Sequence, residues 1–244
     1  MPLAKFESEM HENMETRETN LNYVVPVSGK KFSGFVDLVC DFEEMKRELV
    51  TLYDGKIKYW LQAMDLYDQE ITKHTLRVTA LSLKLAEGMG RSKQELGYIQ
   101  YGTILHDIGK LGIPGSIMQK PGKLTPSEFQ VVKQHPIYAH EWLLSQHEYQ
   151  PAKVIPLFHH ERWDGGGYPY GLKGEEIPLM ARVVSVVDVW DALTSDRPYR
   201  KAMTHEVALE IIQSEKGKHF DPKIVDAFFD LQIHEIQTFS CFQP

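Results

Sequence analysis

Apolar residues recur at intervals of three and four positions through most of the chain after residue 41, and this spacing predicts amphipathic helices. Residues 41–66 carry the pattern first and predict a lead-in helix, either an ordinary amphipathic helix or one that signals or dimerises. Residues 70–88 carry it next, with Val78 and Leu81 near one face, so this face is expected to point inward.

Helix-start signals mark further elements. Ser92 is followed three residues later by Glu95, and Thr125 by Glu128, so each pair predicts a capping box. Periodicity and other caps predict the remaining helices near residues 136–148, 151–160 and 178–194 and from Thr204 and Asp221 onward. Nothing after residue 41 alternates as a strand ladder would, so the predicted fold class is all-α.

The same pattern divides the chain into four parts. Residues 1–40 begin polar and acidic and then carry short β-branched runs, which predicts an arm that is a small hairpin or is partly disordered. Residues 41–66 are the lead-in helix. Residues 67–235 form the main helical domain, with a glycine-rich loop near 161–177, and residues 236–244 form a tail.

Composition excludes several classes of protein. The chain of 244 residues has a net charge of -7, which argues against binding to polymeric nucleic acid or to an anionic membrane. Its two cysteines lie far apart, which fits a reducing cytoplasm without a disulfide framework. The polar start is no signal peptide, and no apolar run reaches the ~20 residues of a spanning helix. A cytoplasmic protein is therefore expected.

Two pairs of titratable residues occur in the first half of the main domain. Glu70 and His74 are four residues apart and leave one helix face together, a spacing that also fits a surface hydrogen bond. His106 and Asp107 are adjacent in the apolar, glycine-rich segment YGTILHDIGKLGIP, which is expected to be helical. Burying an unpaired carboxylate there is costly, so pairing or metal binding is expected.

Four more candidate ligands follow in the second half. His135 is expected to end a capped helix, where the helix dipole alone also favours a histidine. His159 and His160 are adjacent, and both could face one site only around a helix end, because neighbouring helical positions differ by ~100°. Asp188 lies among valines in MARVVSVVDVWDAL, so the cost of burying its carboxylate must be compensated. Metal binding is the preferred explanation, and the alternatives are a hydrogen bond to a loop amide or an ion pair with an arginine.

These eight residues supply five imidazoles and three carboxylates, more than one ion requires. The set suits iron, manganese, zinc or nickel, and the absence of thiolates argues against a closed structural zinc site. With a shared carboxylate it could hold two or three ions and serve phosphoester hydrolysis. Lys110, Arg197 and Arg200 could then bind a phosphate or a guanine edge, although the two arginines also fit a solvated turn.

Residues 65–230 resemble the HD-GYP domain, a subgroup of the HD-domain metal phosphohydrolases. The matching pieces are EITKHTLRV, LHDIGKLGIP, KPGKLTPSEF, KQHP, HHERWDGGGYP, ARVVSVVDVWDALTSDRPYR and HFDP. The family takes its name from a His-Asp pair, here His106 and Asp107, and from a Gly-Tyr-Pro run, here 167–169. The resemblance implies an HD-domain helical bundle with a short N-terminal extension that hydrolyses cyclic di-GMP.

The resemblance also implies roles for individual residues. All eight candidate ligands match family positions, and Glu70 marks the type with three ions, so the implied cofactors are two or three divalent ions. Iron is the implied metal and manganese the alternative. Asp107 and Lys110 are the implied catalytic residues. The implied substrate contacts are Lys110, Tyr168, Arg197 and Arg200.

We therefore expect a metal-bridging hydroxide to open cyclic di-GMP to pGpG and then to yield GMP. One alternative is a hydrolase of cyclic GMP-AMP; guanosine tetraphosphate and deoxynucleotides are disfavoured by the Gly-Tyr-Pro loop and by RPYR. Another is a non-catalytic sensor of cyclic di-GMP that signals to a protein partner. The lead-in helix would suit a homodimer, and a regulatory protein partner is a further expectation.

Overall fold

The computed structural model describes residues 69–144, 151–196 and 200–235. The predicted arm, lead-in helix and C-terminal tail lie outside these residues, as does Arg197. The α-helices in the described part are α1 Gln69–Gly88, α2 Lys93–Ile104, α3 Gly115–Met118, α4 Pro126–Val132, α5 His135–Leu144, α6 Val154–Phe158, α7 Leu179–Thr194, α8 His205–Ser214 and α9 Pro222–Asp230. Short 3₁₀ helices are formed by Ile108–Gly112, Pro151–Lys153, Gly174–Glu176 and Ile233–Glu235. Within these ranges no strand is formed, so the all-α prediction is confirmed.

Side-chain caps start the helices where the sequence predicts them. The Ser92 side chain accepts a hydrogen bond from the Glu95 amide, and the Glu95 carboxylate accepts one from the Ser92 amide. Thr125 and Glu128 form the same reciprocal pair at the start of α4. Asp221 caps α9 through the amide of Lys223. These caps satisfy amide groups that have no partner inside the helix, and they fix where each helix begins.

Helix α7 lies at the centre of the bundle. It packs against α1, α2, α6, α8 and α9, and its residues Val183, Val184, Val186 and Val187 have no exposed surface. Ser185 between them is buried too, so every position from 183 to 187 is covered and α7 is enclosed around most of its circumference, as a central helix must be. Asp188 therefore reaches the site from an element that is fixed on every side.

The structure corrects two helix predictions around the site. His106 and Asp107 do not lie in a helix: α2 ends at Ile104, and Leu105 and Asp107 have φ near −100° with ψ near 0°, which interrupts the α-helical pattern before the 3₁₀ helix begins. His135 does not end a capped helix either; it is the first residue of α5. The favourable C-terminal dipole therefore cannot explain His135.

The predicted helix 151–160 is a 3₁₀ turn followed by the short helix α6, which ends at Phe158. The two histidines that follow lie in the turn beyond its last residue. Because they lie outside the helix, the ~100° that separates neighbouring helical positions does not apply to them. This is the condition under which both could face one site.

Candidate metal centre

Six of the eight candidate ligands form two groups that share one carboxylate. In each group the potential ligand atoms all lie within 4.8 Å of one another. The first group is Asp107, His135, His159 and His160, and the second is His74, His106 and Asp107. Asp188 adjoins the second group, because its Oδ1 lies 3.1 Å from Nε2 of His74. The sequence prediction that these residues converge is therefore matched by their placement.

Distant elements of the bundle bring these side chains together. Helix α1 supplies His74, the turn after α2 supplies His106 and Asp107, and α7 supplies Asp188. A close backbone approach brings α5 to the same point: a Cβ on Gly109 would lie 1.9 Å from the carbonyl oxygen of His135. Only glycine allows the 3₁₀ helix to pack this tightly, so Gly109 sets the distance between Asp107 and α5.

Three of the imidazoles are oriented by backbone carbonyls. Nδ1 of His106 lies 2.6 Å from the oxygen of Thr103, and Nδ1 of His135 lies 2.8 Å from the oxygen of Val132. Nδ1 of His159 is 3.1 Å from two carbonyls of α6. A carbonyl only accepts hydrogen bonds, so each Nδ1 carries a proton and Nε2 is the ring nitrogen that faces the centre. That is the orientation typical of a metal-binding histidine.

The Nε2 atoms converge without satisfying one another. Nε2 of His135 and Nε2 of His159 are 3.5 Å apart, which is unfavourable for two lone pairs unless a cation lies between them. Nε2 of His106 is buried and makes no hydrogen bond within the described residues. Burial lowers the pKa of His135 to about 4 and that of His160 to about 3, so both are neutral at pH 7, the form that binds metal. The donor set fits divalent metal ions.

Asp107 faces both groups with different oxygens. Its Oδ1 lies 3.5 Å from Nε2 of His135, and its Oδ2 lies 3.3 Å from Nε2 of His106. The Lys110 ammonium is 2.5 Å from Oδ2. Burial raises the pKa of Asp107, but Lys110 and the neighbouring imidazoles outweigh it and hold the pKa well below the usual range. The carboxylate is therefore ionised and placed to bridge two cations.

His74 lies between two carboxylates, one of which the sequence analysis missed. Its Nδ1 is 2.7 Å from Oδ2 of Asp191, and Asp191 is 2% exposed. Burial lowers the pKa of His74, but Asp188 and Asp191 outweigh it and raise the pKa. A positive charge is thus favoured between His74 and Asp188, whether a proton or a metal ion. Asp191 could have been identified from the sequence, because it stands three residues after Asp188 and this spacing puts both on one helix face.

The Gly-Tyr-Pro segment forms one wall of the centre. The Tyr168 ring stacks on the His160 ring, with centroids 4.8 Å apart and planes 25° apart. A Cβ on Gly167 would lie 2.4 Å from the amide nitrogen of Arg162, so the loop folds back tightly on itself. The buried carboxylate of Glu161, also missed by the sequence analysis, accepts hydrogen bonds from the amides of residues 170–172.

Of the three remaining predicted residues, Arg200 is the one whose side chain lies in the described part of the structure. Arg200 donates hydrogen bonds to the carbonyls of Ala192 and Leu193, near the C-terminal end of α7. Glu70 belongs to α1, one turn before His74, and its side chain lies outside the described part of the structure. Arg197 lies outside it altogether. The roles predicted for Glu70, Arg197 and Arg200 therefore stay predictions.

Among the described helices, none combines the length and apolar character needed to cross a membrane.

The chain is similar in sequence to bacterial proteins that are named as phosphodiesterases. It is 41% identical over 196 residues to the "Cyclic di-GMP phosphodiesterase" of Thermotoga maritima, covering 78% of this chain and 53% of that protein. It is 36% identical over 198 residues to the "3'3'-cGAMP-specific phosphodiesterase 2" of Vibrio cholerae, covering 80% of this chain and 36% of that protein. The chain thus spans about half the length of the first relative and about a third of the second.

The fold is also found in a solved structure and in a family profile. The structure of "Bd1817, a HDG"Y"P protein from Bdellovibrio bacteriovorus" aligns with a TM-score of 0.55 at 21% identity, over 93% of this chain and 79% of that one. At this identity the likeness establishes the fold. The profile described as "HD domain" matches residues 60–224. With the His106-Asp107 pair and the Gly-Tyr-Pro wall in place, the chain belongs to the HD domain family and, within it, to the HD-GYP group.

Proposed function

We propose that this chain is a metal-dependent phosphodiesterase that hydrolyses cyclic di-GMP. The observation that carries the proposal is Asp107, an ionised carboxylate shared by two groups of imidazoles. Divalent ions held there would activate water and neutralise the charge of a phosphodiester. The relative in Thermotoga maritima carries the same activity in its name, which favours cyclic di-GMP as the substrate.

The residues of the chain would divide the work as follows. Asp107 and the four imidazoles around it would hold the ions. His74 and Asp188 would add the remaining ligands for the ion in the second group. Lys110, beside Asp107, would offer its ammonium to the developing charge on the phosphate. Tyr168 would form the wall against which the nucleotide lies. Arg197 and Arg200 would bind the nucleotide or its phosphates, as proposed from the sequence.

We propose two or three ions, with iron as the metal and manganese as the alternative. Glu70 would recruit the third ion, because it stands four residues before His74, the spacing of one helix face, and the other candidates already suffice for two. A third cation would help to hold pGpG, whose terminal phosphate adds charge. The proposed end product is therefore GMP.

The test is a chromatographic time course with anaerobically purified protein loaded with Fe²⁺ or Mn²⁺. We expect cyclic di-GMP to pass through pGpG to GMP, and Glu70→Ala to lose about one metal equivalent and accumulate pGpG. Asp107→Ala should lose both metal and turnover. Fully loaded wild-type protein that binds cyclic di-GMP without cleaving it would instead be a sensor.

A second substrate is favoured by one comparison. The Vibrio cholerae relative is named for 3'3'-cGAMP, so cyclic GMP-AMP must be assayed beside cyclic di-GMP. A higher kcat/KM for cyclic GMP-AMP would overturn the preference proposed for cyclic di-GMP.

The organisation beyond the described residues is also proposed. The chain would divide into an arm (1–40), a lead-in helix (41–66), a catalytic domain (67–235) and a tail (236–244). The lead-in helix would form a dimer or bind a regulatory partner in the cytoplasm. Light scattering of the full chain and of a variant lacking residues 1–66 would test the dimer: loss of a dimeric mass only in the shortened chain is the expected result.

A further inference from the structure

A lysine lies between two aromatic rings beside the candidate centre. The Lys133 ammonium is 5.1 Å from the centroid of Phe129 and 5.2 Å from the centroid of Tyr168. Phe129 is 45% exposed, although it is a large apolar residue on α4. We call Phe129, Lys133 and Tyr168 the aromatic rim.

Lys133 differs from the lysines around it. Lys110 is paired with Asp107, and Lys120 is paired with Glu128 at 2.7 Å. No carboxylate among residues 69–144, 151–196 and 200–235 pairs with Lys133, whose ammonium instead lies over the two aromatic rings. Its three N–H donors are therefore available to an acceptor from outside the chain.

The rim adjoins the centre directly. Tyr168 stacks on His160, and Lys133 stands two residues before His135. A nucleotide whose phosphate lies at the centre has its base attached within a few bonds. The rim therefore leads from the edge of the centre, at Tyr168, past the donors of Lys133 to the exposed ring of Phe129.

We infer that the aromatic rim is a purine subsite that prefers guanine to adenine, an inference that rests on the proposed function. A base would stack on Phe129, as bases do on exposed aromatic rings. Lys133 would donate to O6 and N7 of guanine, both of which are acceptors. Adenine places an amino group where guanine has O6, so the same ammonium would meet a donor instead.

The test measures binding separately from turnover. Metal-loaded wild-type protein and Lys133→Met are titrated calorimetrically with phosphorothioate analogues of cyclic di-GMP and cyclic di-AMP, which resist hydrolysis. Methionine keeps the aliphatic stem over the rings and removes the charge. We expect wild-type protein to prefer the guanine analogue and Lys133→Met to reduce that preference roughly 5- to 100-fold.

Two further variants sharpen the result. Phe129→Ala should weaken both analogues to a similar extent, because stacking is tolerant of base identity. Lys123→Met removes an exposed lysine just before α4 and should leave both affinities unchanged. Metal content and thermal midpoint are measured on every sample to show that the centre and the fold are intact.

Three outcomes overturn the inference: a wild-type protein that does not prefer guanine, an unchanged preference in Lys133→Met, or an equal loss for both analogues, which would make Lys133 a phosphate contact. Turnover is followed in parallel with the natural dinucleotides. Wild-type protein that prefers guanine through Lys133 but cleaves neither dinucleotide would refute the proposed function and leave the purine subsite standing.

Discussion

Asp191 joins a candidate ligand to a buried arginine. Its Oδ2 accepts from Nδ1 of His74 at 2.7 Å, and its two oxygens accept from Nε and Nη2 of Arg77 at 2.5 and 2.9 Å. Arg77 also donates to Oγ of Ser195 at 3.1 Å. A carboxylate so placed fixes the ring of the histidine and directs Nε2 to the metal, the usual role of such a partner.

We predict that Asp191→Asn weakens metal binding by about 10- to 100-fold. An amide has nearly the same shape but lacks the charge that holds the His74 proton on Nδ1. Equilibrium titration with Mn²⁺ measures the effect. Asp196→Asn is the matched control, because Asp196 follows the same helix but pairs with the exposed Lys201. A lower thermal midpoint with unchanged metal affinity would reduce Asp191 to a structural role.

At the scale of elements, the packing of the 3₁₀ helix against α5 depends on the missing side chain of Gly109. The nearest neighbours of an added Cβ are backbone atoms, His135 O at 1.9 Å and Ala139 N at 2.7 Å, so no side-chain rotation can relieve the clash. The two elements would have to move apart, and Asp107 would move away from the imidazole of His135 and from those of His159 and His160.

We predict that Gly109→Ala lowers the free energy of unfolding by about 1 to 3 kcal/mol or more and weakens metal binding with it. Gly97→Ala is the matched control: Gly97 lies inside α2 with nothing within 4 Å of its added Cβ, so alanine should stabilise by roughly 0.5 to 1 kcal/mol. Urea unfolding of both variants measures the difference. Equal stability of the two variants would contradict the proposed contact.

The elements that the sequence predicts best are those fixed by local interactions. The capping boxes of α2 and α4 need only residues three apart, and both are confirmed. The end of α2 before His106 and Asp107 depends on a turn that packs against α5, and the spacing of apolar residues does not predict this helix end. The partnership of Asp191 with His74 joins residues 117 positions apart. Only the folded bundle brings such residues together, although the eight candidate ligands themselves could be recognised from residue type and motif.

At the scale of the whole molecule, the candidate ligands tie the first described helix to the central one. His74 on α1 and Asp188 on α7 are in contact, and the intervening elements contribute the other imidazoles. The unfolded chain cannot hold these residues in one site. Metal ions should therefore bind the folded state much more strongly and stabilise it.

We predict that Mn²⁺ at a free concentration of 100 times its Kd raises the thermal midpoint by roughly 5 to 10 °C for each ion bound. The reason is preferential binding to the folded chain, worth about 2.7 kcal/mol per site at that concentration. Excess chelator should reverse the shift. The same titration of Asp107→Ala should show almost no metal-dependent shift; a shift as large as that of the wild type would place the ions elsewhere.

The hydrogen bonds of Glu161 have a consequence for metal supply. Glu161 directly follows His160 and accepts from the amides of Tyr170 and Leu172 at 2.7 and 3.0 Å, so the Gly-Tyr-Pro loop and a candidate ligand share one rigid frame. A nucleotide bound against this loop and an ion held by His160 would then be energetically coupled, and such coupling is reciprocal. Substrate that binds better to the loaded chain must then also raise the affinity of the chain for its metal. When the metal is scarce, the ions would therefore accumulate in the molecules that have bound substrate.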